Sequence, residues 1–157
     1  MPMRIGDGLP SFEGATSWIG GSQSEVEKNI SGQPTLVHFW AVSCGICKEK
    51  MPELNEIKAK YTPFGLKVVS IHMPRQEADT EVEKISEAIE ANRLTEPVAI
   101  DNLHRLKDAF LNEQAWVPVY YLFDAEGKMR SRAAGEFGVG VLRTALEKMF
   151  SAEAVSA

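Results

Sequence analysis

Cysteine is nearly absent from this chain of 157 residues; there are two, Cys44 and Cys47. With so few, no disulfide framework can hold the fold together. Positive charge is also short. Seventeen Lys and Arg face 22 Asp and Glu, for a net charge of −5. Without a basic run there is no electrostatic footprint for nucleic acid. No apolar stretch approaches the length of a membrane span. The start, MPMRIGDGLPSF, carries one arginine with no apolar segment behind it, so it does not read as a secretory leader. A chain beginning here is expected in the cytoplasm as a monomer, with neither nucleic acid nor membrane as a partner. Repeats and linkers are missing too. Hydrophobic residues at 44% and charged residues at 25% are ordinary. The length suits one domain over 1–157 with a substantial core.

What is present is concentrated around the two cysteines. An apolar run, Thr35 to Trp40, leads into Ala41-Val42-Ser43-Cys44-Gly45-Ile46-Cys47. A helical pattern continues to Tyr61. Two thiols at this spacing, where a strand feeds a helix, read first as a redox pair. A thiolate is the attacking species in disulfide exchange, and the unpaired N–H groups of a helix start stabilise it. Cys44 is expected to face the mouth of the turn and attack. Cys47, followed at helical spacing by Met51 and Leu54, is expected to point inward and resolve the mixed disulfide. Two other readings are weaker. A zinc site needs four ligands, and His38, His72 and His104 are scattered singly; no metal or other cofactor is expected. A purely structural bridge would close a very small loop, where the constraint on the unfolded chain is least.

Along the chain, 1–22 reads as an irregular or short-stranded arm anchored by Phe12, Trp18 and Ile19. Ser24 and Glu27 suggest a capping box for a short helix ending near Ile30. Thr35–Trp40 suits a strand buried on both faces. The helix after Cys47 shows Leu54, Ile57 and Tyr61 on one face and is bent by Pro52. Leu66–His72 is the next strand. Thr80 and Glu83 suggest a second capping box, for a helix with Val82, Ile85 and Ile89 on its apolar face. Val98–Ile100 is a short strand. Asp101 or Asn102 then caps a helix lined by Leu103, Leu106 and Phe110. Val119–Asp124 and Met129–Ala134 form a hairpin about the turn 125–128, the second strand polar enough for a sheet edge. A glycine-rich loop, Gly135–Gly140, precedes a closing helix marked by Val139, Leu142, Leu146 and Met149. Residues 151–157 are expected to fray. The element order predicts an α/β fold: a mixed sheet with helices on both faces.

The stretches PTLVHFWAVSCGICKEKMP, VVSIHMPR and VPVYYLFDAEGK resemble thioredoxin-like thiol–disulfide oxidoreductases of the TlpA/ResA branch. The resemblance covers nearly the whole chain. It implies a thioredoxin fold with an extra helix and strand inserted centrally and a cis-Pro, Pro118, before the C-terminal hairpin. Trp40 would wall the active site. Val117, with Gly45 and Ile46, would bind substrate, the Val117 backbone pairing with an extended segment. Protein disulfides are the implied substrates and a thioredoxin-reductase-type protein the implied recycling partner. The chain also departs from the pattern. Ser43 replaces the tryptophan before the first cysteine, and Ile46 replaces the proline between the two. The acid usually buried behind the second cysteine falls at His38, and the branch's active-site glutamate falls at Lys50. His38 is therefore expected to move the proton of Cys47, or else to be a core histidine satisfied by backbone. Lys48, His72 and His104 are expected to be mainly solvated or without a role. A peroxiredoxin-like peroxidase is an alternative, though its threonine three residues before the reactive cysteine is here Ala41. A non-catalytic binding module is another, though such modules commonly lose a cysteine.

Overall fold

The computed structural model describes the backbone of residues 1–156 and the side chains of residues 1–151. Its centre is a six-stranded sheet of order β1-β4-β3-β2-β5-β6. The strands are β1 (Ser17–Ile19), β2 (Thr35–Trp40), β3 (Lys67–His72), β4 (Val98–Ile100), β5 (Val119–Phe123) and β6 (Met129–Ala134). β2, β3 and β4 run parallel, whereas β5, β6 and β1 pair antiparallel with their neighbours. The helices are α1 (Gln23–Ile30), α2 (Gly45–Tyr61), α3 (Val82–Ala91), α4 (Arg105–Ala109) and α5 (Gly138–Ser156).

β2 is central, and every one of its six residues is buried, as a run without polar alternation requires. Its alternate side chains divide the core. Leu36 and Trp40 pack with Leu54, Ile57, Ile85, Leu142 and Leu146 beneath α2, α3 and α5. Val37 and Phe39 pack on the opposite face with Phe12, Ile30, Leu106 and Phe110, from the arm, α1 and α4. α2 ends as expected at Thr62–Phe64, a short 3-10 turn closed by Gly65 at φ 106°, a conformation glycine adopts without steric cost.

Several local expectations are corrected. The cap of α1 is Ser22, whose Oγ accepts the Glu25 N–H at 3.3 Å. Glu27 instead accepts the Phe12 N–H and the Ser11 hydroxyl, tying the arm to α1. Glu81 precedes α3 without a side-chain cap, because the Thr80 hydroxyl donates to the Glu77 carbonyl. Val82 and Leu103 are exposed rather than on apolar faces. Asp101 does serve α4, accepting the Leu106 and Lys107 N–H groups at 2.8 and 2.9 Å. α5 begins inside the expected glycine loop, at Gly138. A Cβ there would lie 3.0 Å from the Tyr120 ring, so glycine lets the helix start against β5. α5 continues to Ser156 through most of the stretch expected to fray; Ala157 and the side chains of 152–157 lie outside the described residues.

Candidate active site

Parallel strands deliver their carboxyl ends to one edge of the sheet, where connecting loops gather. β2 ends there at Trp40, and the chain turns at once into α2. The turn is closed by the Cys44 N–H donating to the Ala41 carbonyl at 3.0 Å. Cys44 is the N-cap of α2, its Sγ accepting the Cys47 N–H at 3.1 Å. Cys47 lies in the first helical turn, and the two form a disulfide with Cα atoms 5.3 Å apart. Met51 and Leu54 are buried on the same inward face as Cys47. The first cysteine is less open than expected: Cys44 is 2% exposed and Cys47 1%. Exposure therefore does not separate their roles; position at the helix start does. Gly45 and Ile46, between them, are exposed.

Opposite the pair lies the start of β5. The Val117–Pro118 peptide is cis, and the Val117 carbonyl oxygen stands 3.8 Å from Cys44 Sγ. The loop before it is held by buried Asn112, which accepts the Trp116 N–H and donates to the Trp116 carbonyl. Leu111 and Ala115 in this loop both have φ of 54°. The loop after β6 closes on it, the Gly135 N–H donating to the Pro118 carbonyl.

Trp40 is fully buried, its indole N–H donating to Ser70 Oγ at 3.3 Å. It backs the site from within the core and does not line its mouth. His38 lies in the same strand, pairing with Ser70 on one side and Tyr120 on the other. Neither ring nitrogen of His38 has a hydrogen-bond partner among the described residues. The expectation of a backbone-satisfied histidine is therefore not met. Nor is that of an imidazole titrating near neutrality. Burial, and then the charge of Lys58, hold its pKa well below the usual value, so the ring is neutral at pH 7. Lys58 itself is buried and paired with Glu96 at 3.0 Å. Burial lowers its pKa, with Glu96 opposing.

His72, expected in solvent, is fully buried at the end of β3. Its Nε2 accepts the Val42 N–H at 3.0 Å, which fixes a neutral ring. Burial brings its pKa down to about 4 against the opposing pull of Asp79. Asp79, from the 3-10 turn after β3, accepts the Ser43 hydroxyl at 2.6 Å and the Arg75 N–H at 2.9 Å. Burial pushes its pKa up, but those bonds and nearby His72 carry it below the ordinary value. His104 precedes α4 with its Nε2 3.0 Å from the Pro74 carbonyl oxygen. Lys48 and Glu49 are exposed. Among the described residues no three His, Cys, Asp or Glu side chains are grouped to hold a metal ion, and no helix is long and apolar enough to cross a membrane.

A cysteine pair opening a helix, faced by a proline-started antiparallel strand, defines a thioredoxin-like site for thiol–disulfide exchange. A profile of the AhpC/TSA family matches residues 5–132. The chain is 39% identical over 149 residues to the thiol–disulfide oxidoreductase YkuV of Bacillus subtilis (strain 168), covering 95% of this chain and 98% of that protein. It is 26% identical over 134 residues to the thiol–disulfide oxidoreductase ResA of Bacillus anthracis, covering 85% and 72% respectively. The solution structure of a thioredoxin-like protein in the oxidized form matches with a TM-score of 0.83 and 38% identity, over 95% of this chain and 98% of that one. The chain thus belongs to the AhpC/TSA family and, with these relatives, to the thioredoxin-like thiol–disulfide oxidoreductases.

Proposed function

We propose that this protein reduces protein disulfides in the cytoplasm through Cys44 and Cys47. The observation that carries the reading is the capping geometry: Cys44 Sγ receives the Cys47 N–H at the start of α2. In the reduced protein the same N–H groups favour a Cys44 thiolate. The thiolate attacks one sulfur of a substrate disulfide. A Cys44–substrate bond forms as the substrate's own S–S bond breaks, and the other substrate sulfur leaves as a thiolate. Cys47, deprotonated, then attacks Cys44 Sγ, forming the internal disulfide and releasing the second substrate thiolate. Two electrons pass to the substrate. A dithiol reductase restores the pair by the same exchange.

The Val117 backbone beside Cys44 supports binding of an extended substrate segment by strand addition, with exposed Gly45 and Ile46 as its other contacts. The proton of Cys47 is not routed through His38, because a neutral, weakly basic imidazole accepts protons poorly near pH 7. A peroxidase reading lacks a hydroxyl at Ala41, three residues before Cys44. A binding module would have no use for a second cysteine. The absence of any cysteine outside the pair supports work in a reducing compartment.

The test is trapping. Cys47→Ser, expressed in the native cell, should accumulate mixed disulfides on Cys44, while Cys44→Ser accumulates none. The wild type, with a dithiol reductant, should reduce insulin disulfides and leave peroxide unconsumed. Empty traps and inert insulin would overturn the reading. Cell fractionation checks the compartment.

A further inference from the structure

We propose that His72 and Asp79 are positioning residues for the exchange reaction, clamping the turn that presents Cys44. The proposal rests on the exchange reading above. The turn spans Ala41 to Cys44 and is closed by the Cys44 N–H on the Ala41 carbonyl. Its two central residues are Val42 and Ser43. Each is held by a different side chain from the β3 end: Val42 N–H by His72 Nε2 at 3.0 Å, and Ser43 Oγ by Asp79 Oδ2 at 2.6 Å. Neither bond belongs to the sheet ladder or to α2. Without them, only one backbone hydrogen bond spans the turn.

The clamp is itself rigid. His72 pairs with Trp40 across the β2–β3 ladder and meets the Trp40 ring edge-on, centroids 4.8 Å apart. The Met73 N–H returns to the Trp40 carbonyl at 2.9 Å. Asp79 is anchored by the Arg75 N–H on its carboxylate and by its own N–H on the Gln76 carbonyl. His72 and Asp79 are buried, Val42 is half-buried and Ser43 exposed, so the His72–Val42 bond is the better shielded from water of the two. A hydrogen bond to a charged carboxylate is also stronger than a neutral one. The clamp therefore fixes where Cys44 Sγ stands relative to the N–H groups of α2. A few tenths of an ångström there change how well those N–H groups stabilise a thiolate.

The test uses the full chain carrying Cys47→Ser, so that Cys44 is the one thiol. Alkylation by iodoacetamide is followed from low to high pH. The readout is the pH of half-maximal rate, which is insensitive to how open the sulfur is. His72→Leu, which takes away no charge, should move it upward by about half a pH unit or more. His72→Gln, whose amide oxygen can accept the Val42 N–H, should bring it back toward the parent. Ser43→Ala removes one bond from an exposed residue and cannot upset packing. It keeps the Asp79 charge and should shift the midpoint upward as His72→Leu does. Midpoints that stay at the parent value in Ser43→Ala and in folded His72→Leu would overturn the proposal, whatever the loss of stability. No substrate enters these measurements, so their failure is distinct from failure of the trapping experiment.

Discussion

His38 and Tyr120 lie face to face across the β2–β5 pairing, ring centroids 5.1 Å apart and planes within 15°. Both are enclosed by the core, and neither the imidazole nitrogens nor the phenol oxygen has a hydrogen-bond partner among the described residues. Burial pushes the Tyr120 phenol up, with the Glu53 charge adding to it, so both rings are neutral over the working pH range.

Removing the unpartnered hydroxyl should therefore cost nothing. Tyr120→Phe is expected to leave stability unchanged or raise it by about 1 kcal/mol in urea unfolding, since an unsatisfied buried hydroxyl is a desolvation penalty. A loss of more than about 1 kcal/mol would mean that the hydroxyl is bonded in solution.

His38→Asn tests the proton step. Rates of mixed-disulfide release, measured between pH 6 and 8, should follow the same pH profile as the wild type. A profile altered in shape would put the imidazole into the reaction.

The Lys58–Glu96 pair is buried on both sides. Lys58→Met alone leaves a carboxylate without its cation and should cost about 3–5 kcal/mol. Adding Glu96→Leu should recover most of that loss. Denaturant midpoints of the two singles and the double give the coupling directly.

Acid should weaken the protein earlier than its carboxylates alone would require. His72 has a folded pKa of about 4 against an ordinary 6.5. The unfolded chain takes up the proton first. The stability contributed is complete above about pH 6.5 and is lost as pH falls toward 4, roughly 3 kcal/mol in all. Buried His38 acts in the same direction, and depressed Asp79 extends the loss to lower pH. His72→Gln should flatten the fall between pH 6.5 and 4 in urea unfolding series.

The cysteine pair and its two flanking elements are legible in sequence because each signal is local. β2 is a continuous apolar run, and Leu54, Ile57 and Tyr61 repeat at helical spacing. The helix caps mislead for a related reason. Ser24 and Thr80 each stand three residues before a glutamate, as Ser22 does, and only backbone geometry chooses among such candidates. His72 shows the other limit. In sequence it is a polar residue at a strand end, which commonly means solvent. Its ring instead meets the Val42 N–H and the edge of Trp40, while Asp79 returns to Ser43, long-range contacts with no periodic mark. Asp79 and Asn112 are invisible likewise, each being a polar loop residue whose role is set by the distant backbone it holds.

The first twenty residues are tied to the sheet at both of its margins. Gly8 bridges to Lys128 and Gly6 bonds to Met129 beside β6, while Ser17–Ile19 pair with β4 at the far side. Between these two moorings the segment passes over the α1–α4 face, with Phe12 sunk into it. It works as a belt. Cutting it away would bare a greasy surface and unzip one flank of β4 in a single stroke. A shortened version starting at Gly21, which keeps α1, should clump through those openings even with its cysteine chemistry untouched.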